Sequence, residues 1–172
     1  MKDLLLKRGI SSIWHFTDES NLKSIEKNGI LSYCEAQKRN IHIPAPGGNE
    51  VSHNADRKNS VDDYIHACFS KKHPMLYVAK EDGRIKKPIL LKISIDVLDI
   101  DGVMYTNDVS NKSGVQKLSS IDAVRQINIE DIFDYLDFDQ QGMKERKNSA
   151  LKSEILIPKF IPVKMIIGKE YG

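Results

Sequence analysis

Apolar residues along this chain come in short runs, and the period of each run predicts an element. Residues 13–17, Ile-Trp-His-Phe-Thr, read as a strand that places His15 and Thr17 on one side. Asp18 or Ser20 then caps a helix with Leu22 and Ile25 on one face. Asn28-Gly29 supplies the left-handed residue that ends this helix before Ile30-Leu31 resume an extended path. Residues 33–39 suit one or two helical turns and residues 41–43 a short extended piece. Residues 44–60 concentrate Pro, Gly and Asn with almost no apolar content, which predicts a long loop.

The chain re-enters the core at Val61, and residues 64–69 read as a buried strand. Pro74 at a first helical position opens a short helix through Ala79 that Asp82-Gly83 halts. Residues 88–95 are apolar on both faces, the mark of a central strand, followed by a turn over 96–101 and a returning strand over 103–106. Ile129, Ile132, Phe133 and Leu136 are at helical spacing and predict a helix over the second half of 121–138. Residues 139–149 are polar and read as a second surface loop. A strand over 153–157, a stop at Pro158 and a strand over 160–167, with Pro162 marking an edge position, complete the pattern. Strands and short helices without a regular βαβ alternation define an α+β fold.

Composition narrows the function classes. A chain of 172 residues, 40% apolar and 29% charged, fits one domain over 1–172 that buries a core without disulfides or metals. Every apolar run is broken well before a bilayer could be crossed, and residues 1–8 are too short and too charged for a signal peptide, so no membrane association is expected and the cytoplasm is the default. Cys34 and Cys68 have no Cys-x-x-Cys spacing and are expected to be reduced and buried. With 26 basic against 24 acidic residues the net charge is only +2, so any contact with nucleic acid must be local.

Three features could carry chemistry. His15 and Thr17 place polar groups at the mouth of an otherwise apolar strand. Glu154 opens an apolar strand just after a polar loop, where a cleft can reach its carboxylate, although an edge charge that discourages aggregation explains the same residue. Arg57 lies near the end of the first long loop. His15, His42, His53, His66 and His73 could be combined into a metal-dependent hydrolase, but no His-x-x-x-His or His-Glu pairing supports one.

His-x-Thr, Asn21-Leu22, the following Ile25 with Gly29-Ile30-Leu31, and Ser153-Glu154-Ile155-Leu156-Ile157-Pro158 resemble motifs of the DarT family of ADP-ribosyltransferases, toxins that attach ADP-ribose from NAD to nucleic-acid bases. Asp63-Tyr64-Ile65 with Cys68-Phe69, His73-Pro74-Met75-Leu76-Tyr77 and Tyr105-Thr106-Asn107 are similar to further segments of that family, so the matches run in order from Trp14 to Ile157. The resemblance implies an ADP-ribosyltransferase-like fold of two packed, mostly antiparallel sheets around an NAD cleft, with peripheral helices. It implies Glu154 and Arg57 as catalytic residues, with Arg39 as the fallback for the loop arginine, and His15, Thr17, Asn21, Leu22, Tyr64 and Met75 as NAD-binding residues. NAD is then a co-substrate, and no metal is required.

The implied acceptor is a base in single-stranded nucleic acid, DNA before RNA, and a protein acceptor is the alternative on the same fold. The resemblance also implies a toxin of a toxin–antitoxin or phage-defence system, with an antitoxin protein as partner. Target contacts would come from residues 139–149 before the glutamate and from aromatic stacking by residues such as Tyr33 or Phe138. The chain is short for the family, and only Arg146 or Lys152 could stand in for the family's basic residue just before the glutamate.

Overall fold

The computed structural model describes residues 1–172. In chain order its elements are α1 (Lys2–Lys7), β1 (Ser12–Asp18), α2 (Leu22–Asn28), β2 (Ile30–Leu31), α3 (Tyr33–Lys38), α4 (Glu50–Lys58), β3 (Tyr64–Cys68), α5 (Pro74–Glu81), β4 (Pro88–Ser94), β5 (Met104–Thr106), α6 (Ser120–Gln126), α7 (Ile129–Phe133), α8 (Met143–Ala150), β6 (Glu154–Pro158), β7 (Phe160–Ile161) and β8 (Ile166–Tyr171). Six strands make one antiparallel sheet in the order β5-β6-β3-β1-β4-β8, and β2 pairs with β7 in a small second sheet. The fold is α+β, as the alternating apolar runs predict.

Pairing inside the large sheet is uneven, and that unevenness makes the cleft. β1 runs against β4 over seven residue pairs, from Ser12↔Ser94 to Asp18↔Pro88, and β3 against β6 over five. Between β1 and β3 only Trp14↔Cys68 is in register. Past that pair the strands diverge, so the sheet is two antiparallel halves joined at one point, with a wedge opening towards Thr17 on one side and Tyr64 on the other.

Alternation along the strands sorts the core onto two faces. Ile13, Ile65, Ala67, Leu91, Ile93, Ile155 and Ile157 belong to the main apolar cluster, which Leu5 of α1, Ile25 of α2, Ala123 of α6 and Ile129 and Ile132 of α7 cover. Opposite them, Leu76 and Ala79 of α5 pack with Ile85, Leu90, Trp14 and Phe16 in a smaller cluster. Filling both faces clamps β1 and β4 in the middle of the molecule. No helix is long and apolar enough to cross a membrane.

Six segments differ from the pattern-based expectation. Residues 44–60 are not all loop: α4 forms because Asn49 accepts a hydrogen bond from the Ser52 N–H, Glu50 occupies its first turn and Arg57 and Lys58 its last. It buries no residue, so no hydrophobic period marks it. Residues 139–149 are likewise largely helical. There α8 starts after Gly142, held at φ +83°, and is tied to α7 by Arg146 on Asp131 (2.5 Å) and by Lys147 on the carbonyls of Ile132 and Asp134. Residues 121–138 hold two helices rather than one, broken where Asn128 caps α7 by accepting from the Asp131 N–H. The final strand divides into β7, a 3-10 turn over Val163–Met165, and β8. Residues 41–43 adopt no regular structure, and residues 2–7, for which no element was expected, form α1.

Candidate functional site: a cleft between diverging strands

The wedge between β1 and β3 continues into a cleft lined from both strands: His15, Phe16 and Thr17 from β1, Tyr64 and His66 from β3. Glu154 lies in its wall, 5% exposed, where β6 begins between Cys68 of β3 and Thr106 of β5. Ile41, Ile43 and the Pro46-Gly47-Gly48 turn cover it from the loop side, and Tyr33, Ser52, His53 and Met75 also face it.

The buried carboxylate has an assigned set of partners. Oε2 of Glu154 accepts from the backbone N–H of Ser110 at 3.0 Å and is 3.2 Å from His66 Nδ1. Ser110 Oγ is also 3.0 Å from that nitrogen. Oε1 has only His73 Nε2 nearby, at 3.7 Å, which leaves that oxygen free to accept from a ligand. Burial alone would push the Glu154 carboxyl up. The bond and charge of His66, the charge of His73 and the Ser110 amide outweigh it and hold the carboxyl below its ordinary value. Burial likewise opposes the imidazolium of His66, but Glu154 prevails and raises its pKa. The two therefore favour an imidazolium–carboxylate pair.

His15 is set for the opposite role. Burial, the largest influence, lowers its pKa to about 4, with the His66 carbonyl acting against this and the His66 charge with it. Its Nδ1–H donates to the His66 carbonyl at 3.0 Å, bridging the two strands just past the point where their ladder stops. In the neutral ring that bond makes Nε2 the acceptor, available to a hydroxyl in the cleft.

Thr17 and Asn21 act together. Asn21 donates from Nδ2 to Thr17 Oγ1 (2.9 Å) and to the Ala45 carbonyl (2.7 Å), and its Oδ1 accepts from the Ala45 N–H (3.0 Å). The amide thus clasps residue 45 to the end of β1, and the Thr17 hydroxyl, already accepting, keeps its own proton to donate.

Six of the eight residues implied as catalytic or NAD-binding converge on the cleft: His15, Thr17, Asn21, Tyr64, Met75 and Glu154. Leu22 does not line it and packs against the main core. Arg57 is exposed and donates to the Asn54 side chain on the outer side of α4. Arg39 is exposed too, paired with Glu35 at 2.7 Å and lying 5.0 Å over the Phe160 ring. The only Arg or Lys side chain in the cleft wall is Arg84, from the turn after α5.

Pattern reasoning weighed His66 and His73 only as metal ligands, not as partners of Glu154, and missed Ser110 and Arg84. His66 was legible in principle, since it follows Tyr64 by two on one strand and shares its face. His73 caps α5 by accepting from the Met75 N–H at 3.3 Å, a position its Pro74 neighbour marks. Nothing local signals Ser110 or Arg84. Further along the cleft the Tyr33 and His53 rings stack at 3.8 Å between centroids, and His53 Nε2 and Asp56 Oδ1 are buried without a hydrogen-bond partner. Buried polar atoms are rarely left so, and unpartnered groups in a cleft wall point to a polar ligand. No group of three or more His, Cys, Asp or Glu side chains is arranged to hold a metal ion.

The fold is that of ADP-ribosyltransferases of the DarT type. Thermus sp. 2.9 DarT in complex with ADP-ribosylated ssDNA superposes with a TM-score of 0.64 at 20% identity, over 91% of this chain and 78% of the other. The same protein in complex with NAD+ gives 0.60 at 19% identity, over 91% and 79%. Thermosipho africanus DarTG in complex with ADP-ribose gives 0.68 at 17% identity over 92% of this chain, which spans 43% of that protein's length. No curated protein matches by sequence. The family model described as "ssDNA thymidine ADP-ribosyltransferase, DarT" matches residues 14–168, and the chain belongs to that family.

Proposed function

We propose that this chain binds NAD in the cleft between β1 and β3 and transfers its ADP-ribose to a base in single-stranded DNA. The observation that carries the reading is Glu154: a buried, ionised carboxylate in the cleft wall, with one oxygen held by His66 and Ser110 and the other free. Breaking the bond between ribose C1′ and the nicotinamide nitrogen leaves the electron pair on nicotinamide and positive charge across the ribose. A carboxylate accepting from a ribose hydroxyl stabilises that charge more in the transition state than in the ground state. A base nitrogen then forms the new bond to C1′ and loses its proton. His15 Nε2 and the Thr17 hydroxyl suit the hydroxyls of the other ribose and hold the dinucleotide in one pose. Tyr64 and Met75 supply apolar wall.

DNA is favoured by the family's description and by the ADP-ribosylated ssDNA that Thermus sp. 2.9 DarT carries. The segment preceding Glu154 exposes Tyr135, Phe138 and Lys144, residue types suited to stacking bases and meeting a backbone. A toxin whose mark an antitoxin partner counters is the physiological role in keeping with the family.

Intact-mass analysis of short single-stranded DNA and RNA oligonucleotides of each base composition, incubated with protein and NAD, tests the reading. A gain of one ADP-ribose on a thymidine-containing DNA, absent with Glu154→Ala, supports it. Modification of RNA alone would change the acceptor. Glu154-dependent nicotinamide release without a nucleic-acid product would move the acceptor to protein, and no nicotinamide release would refute the transferase.

A further inference from the structure

A cation in the wall of an NAD cleft can pair with the pyrophosphate, and neither Arg57 nor Arg39 lines this one. We propose that Arg84, on the turn between α5 and β4, is the residue that binds the pyrophosphate of the dinucleotide, an inference that rests on the transferase reading above. Its side chain is 15% exposed, and its surroundings hold the guanidinium in one orientation. Nε lies 2.8 Å from both oxygens of Asp82, Nη2 lies 2.7 Å from one of them, and Nη1 donates to the Gly47 carbonyl at 2.6 Å. A guanidinium has five N–H groups in a planar fork, so at least two here have no protein partner, and a fork matches two phosphate oxygens at once.

The opposing wall leaves room beside the guanidinium. Gly47 and Gly48 bring bare backbone to the guanidinium, and Gly48 cannot take a side chain freely, because a Cβ there would meet the His53 ring at 3.0 Å. Asn21 fixes Ala45 immediately before them. Asp56, Asp62 and Glu154 are the carboxylates of the cleft wall, all on other segments, and Arg84 is the one fixed positive charge set against them. A pyrophosphate here would accept from the two unpartnered N–H groups, one on Nη1 and one on Nη2, while Asp82 and the Gly47 carbonyl keep the fork aligned.

The test is calorimetric titration of ADP-ribose and of adenosine, which lacks the pyrophosphate, into wild-type protein, Arg84→Gln and Arg84→Lys. Losing a charge-assisted fork predicts ADP-ribose binding about tenfold to a hundredfold weaker in Arg84→Gln. Arg84→Lys falls between, since it keeps the charge and loses the fork, and adenosine binding moves less than twofold in both. Parallel loss of ADP-ribose and adenosine affinity would make Arg84 a clip for the turn alone and overturn the proposal, as would unchanged ADP-ribose affinity. Wild-type protein that binds neither ADP-ribose nor NAD would instead overturn the transferase reading itself, and this proposal with it.

Discussion

Replacing His66 by alanine tests the electrostatics of the cleft directly. In the wild type, Glu154 Oε2 receives the Ser110 N–H at 3.0 Å and His66 Nδ1 at 3.2 Å, and the carboxylate is 5% exposed. The substitution leaves the amide but removes the imidazolium, so a buried charge loses its partner and one of two donors. A hydrogen bond to a charged group contributes ~1.5–3 kcal/mol, and that is the stability loss expected near pH 6. The sign with pH follows from the two shifts. His66, raised, stabilises the fold below the ordinary imidazole range and loses that contribution as pH rises through its folded pKa. Glu154, lowered, stabilises above the ordinary carboxylate range and loses it as pH falls through its folded pKa. Urea unfolding will therefore show the largest wild-type advantage between those limits and a smaller one at pH 9, where more of the ring has lost its proton. Without His66 the Glu154 carboxyl moves up, so the acid limb of the pH profile for nicotinamide release shifts to higher pH. Equal stability losses at pH 6 and pH 9, with an unmoved acid limb, would refute the ion-pair account.

Other substitutions probe separate parts of the molecule. Glu154→Gln keeps the side chain's shape and removes its charge, and nicotinamide release is expected to fall by roughly a hundredfold to a thousandfold with the fold retained by circular dichroism. Gly29→Ala puts a methyl 2.2 Å from the Ile161 carbonyl oxygen at φ +77°, so a loss of at least ~1–2 kcal/mol is expected in denaturant titration. His15, held neutral to about pH 4, makes the fold lose up to ~3 kcal/mol as pH falls from 6.5 to 4, because the unfolded chain takes the proton first; His15→Asn removes that part of the acid sensitivity in the same titration. Asn21→Ala unclasps Ala45, and the expected result is a raised KM for NAD with a smaller change in kcat and faster proteolysis within residues 44–49.

Strands and their faces were the legible part of this chain, because burial on one or both sides leaves a period of two or an unbroken apolar run. The strand over 64–69, the Pro74 helix start and the Gly29 stop are all found where local chemistry places them. Helices α4 and α8 were illegible because neither buries a residue: the Asn49 cap and end charges sustain α4, and the ties of Arg146 and Lys147 to α7 and its C-terminal end hold α8, without an apolar stripe in either. The cleft was legible by resemblance for the residues that sit on strands. Arg57 shows the limit: its position in the chain suggests a loop arginine, but on a helix its direction depends on the turn, and here it points outward. Arg84 and Ser110 enter the cleft from turns set by tertiary packing, to which no local pattern corresponds.

The single register pair between β1 and β3 also bears on how this protein could be lost by improvement. Two antiparallel strands side by side tend to zip, and each further ladder bond is worth roughly 1 kcal/mol. Next to that pair the His15 ring, not a backbone N–H, meets the His66 carbonyl. A variant with valine or isoleucine at 15 and 17 would favour the closed ladder and be more heat-resistant with no room for a ligand. Selection for thermal robustness alone would thus favour a sealed and inert sheet, and the polar strand mouth is the feature that stability by itself would not supply.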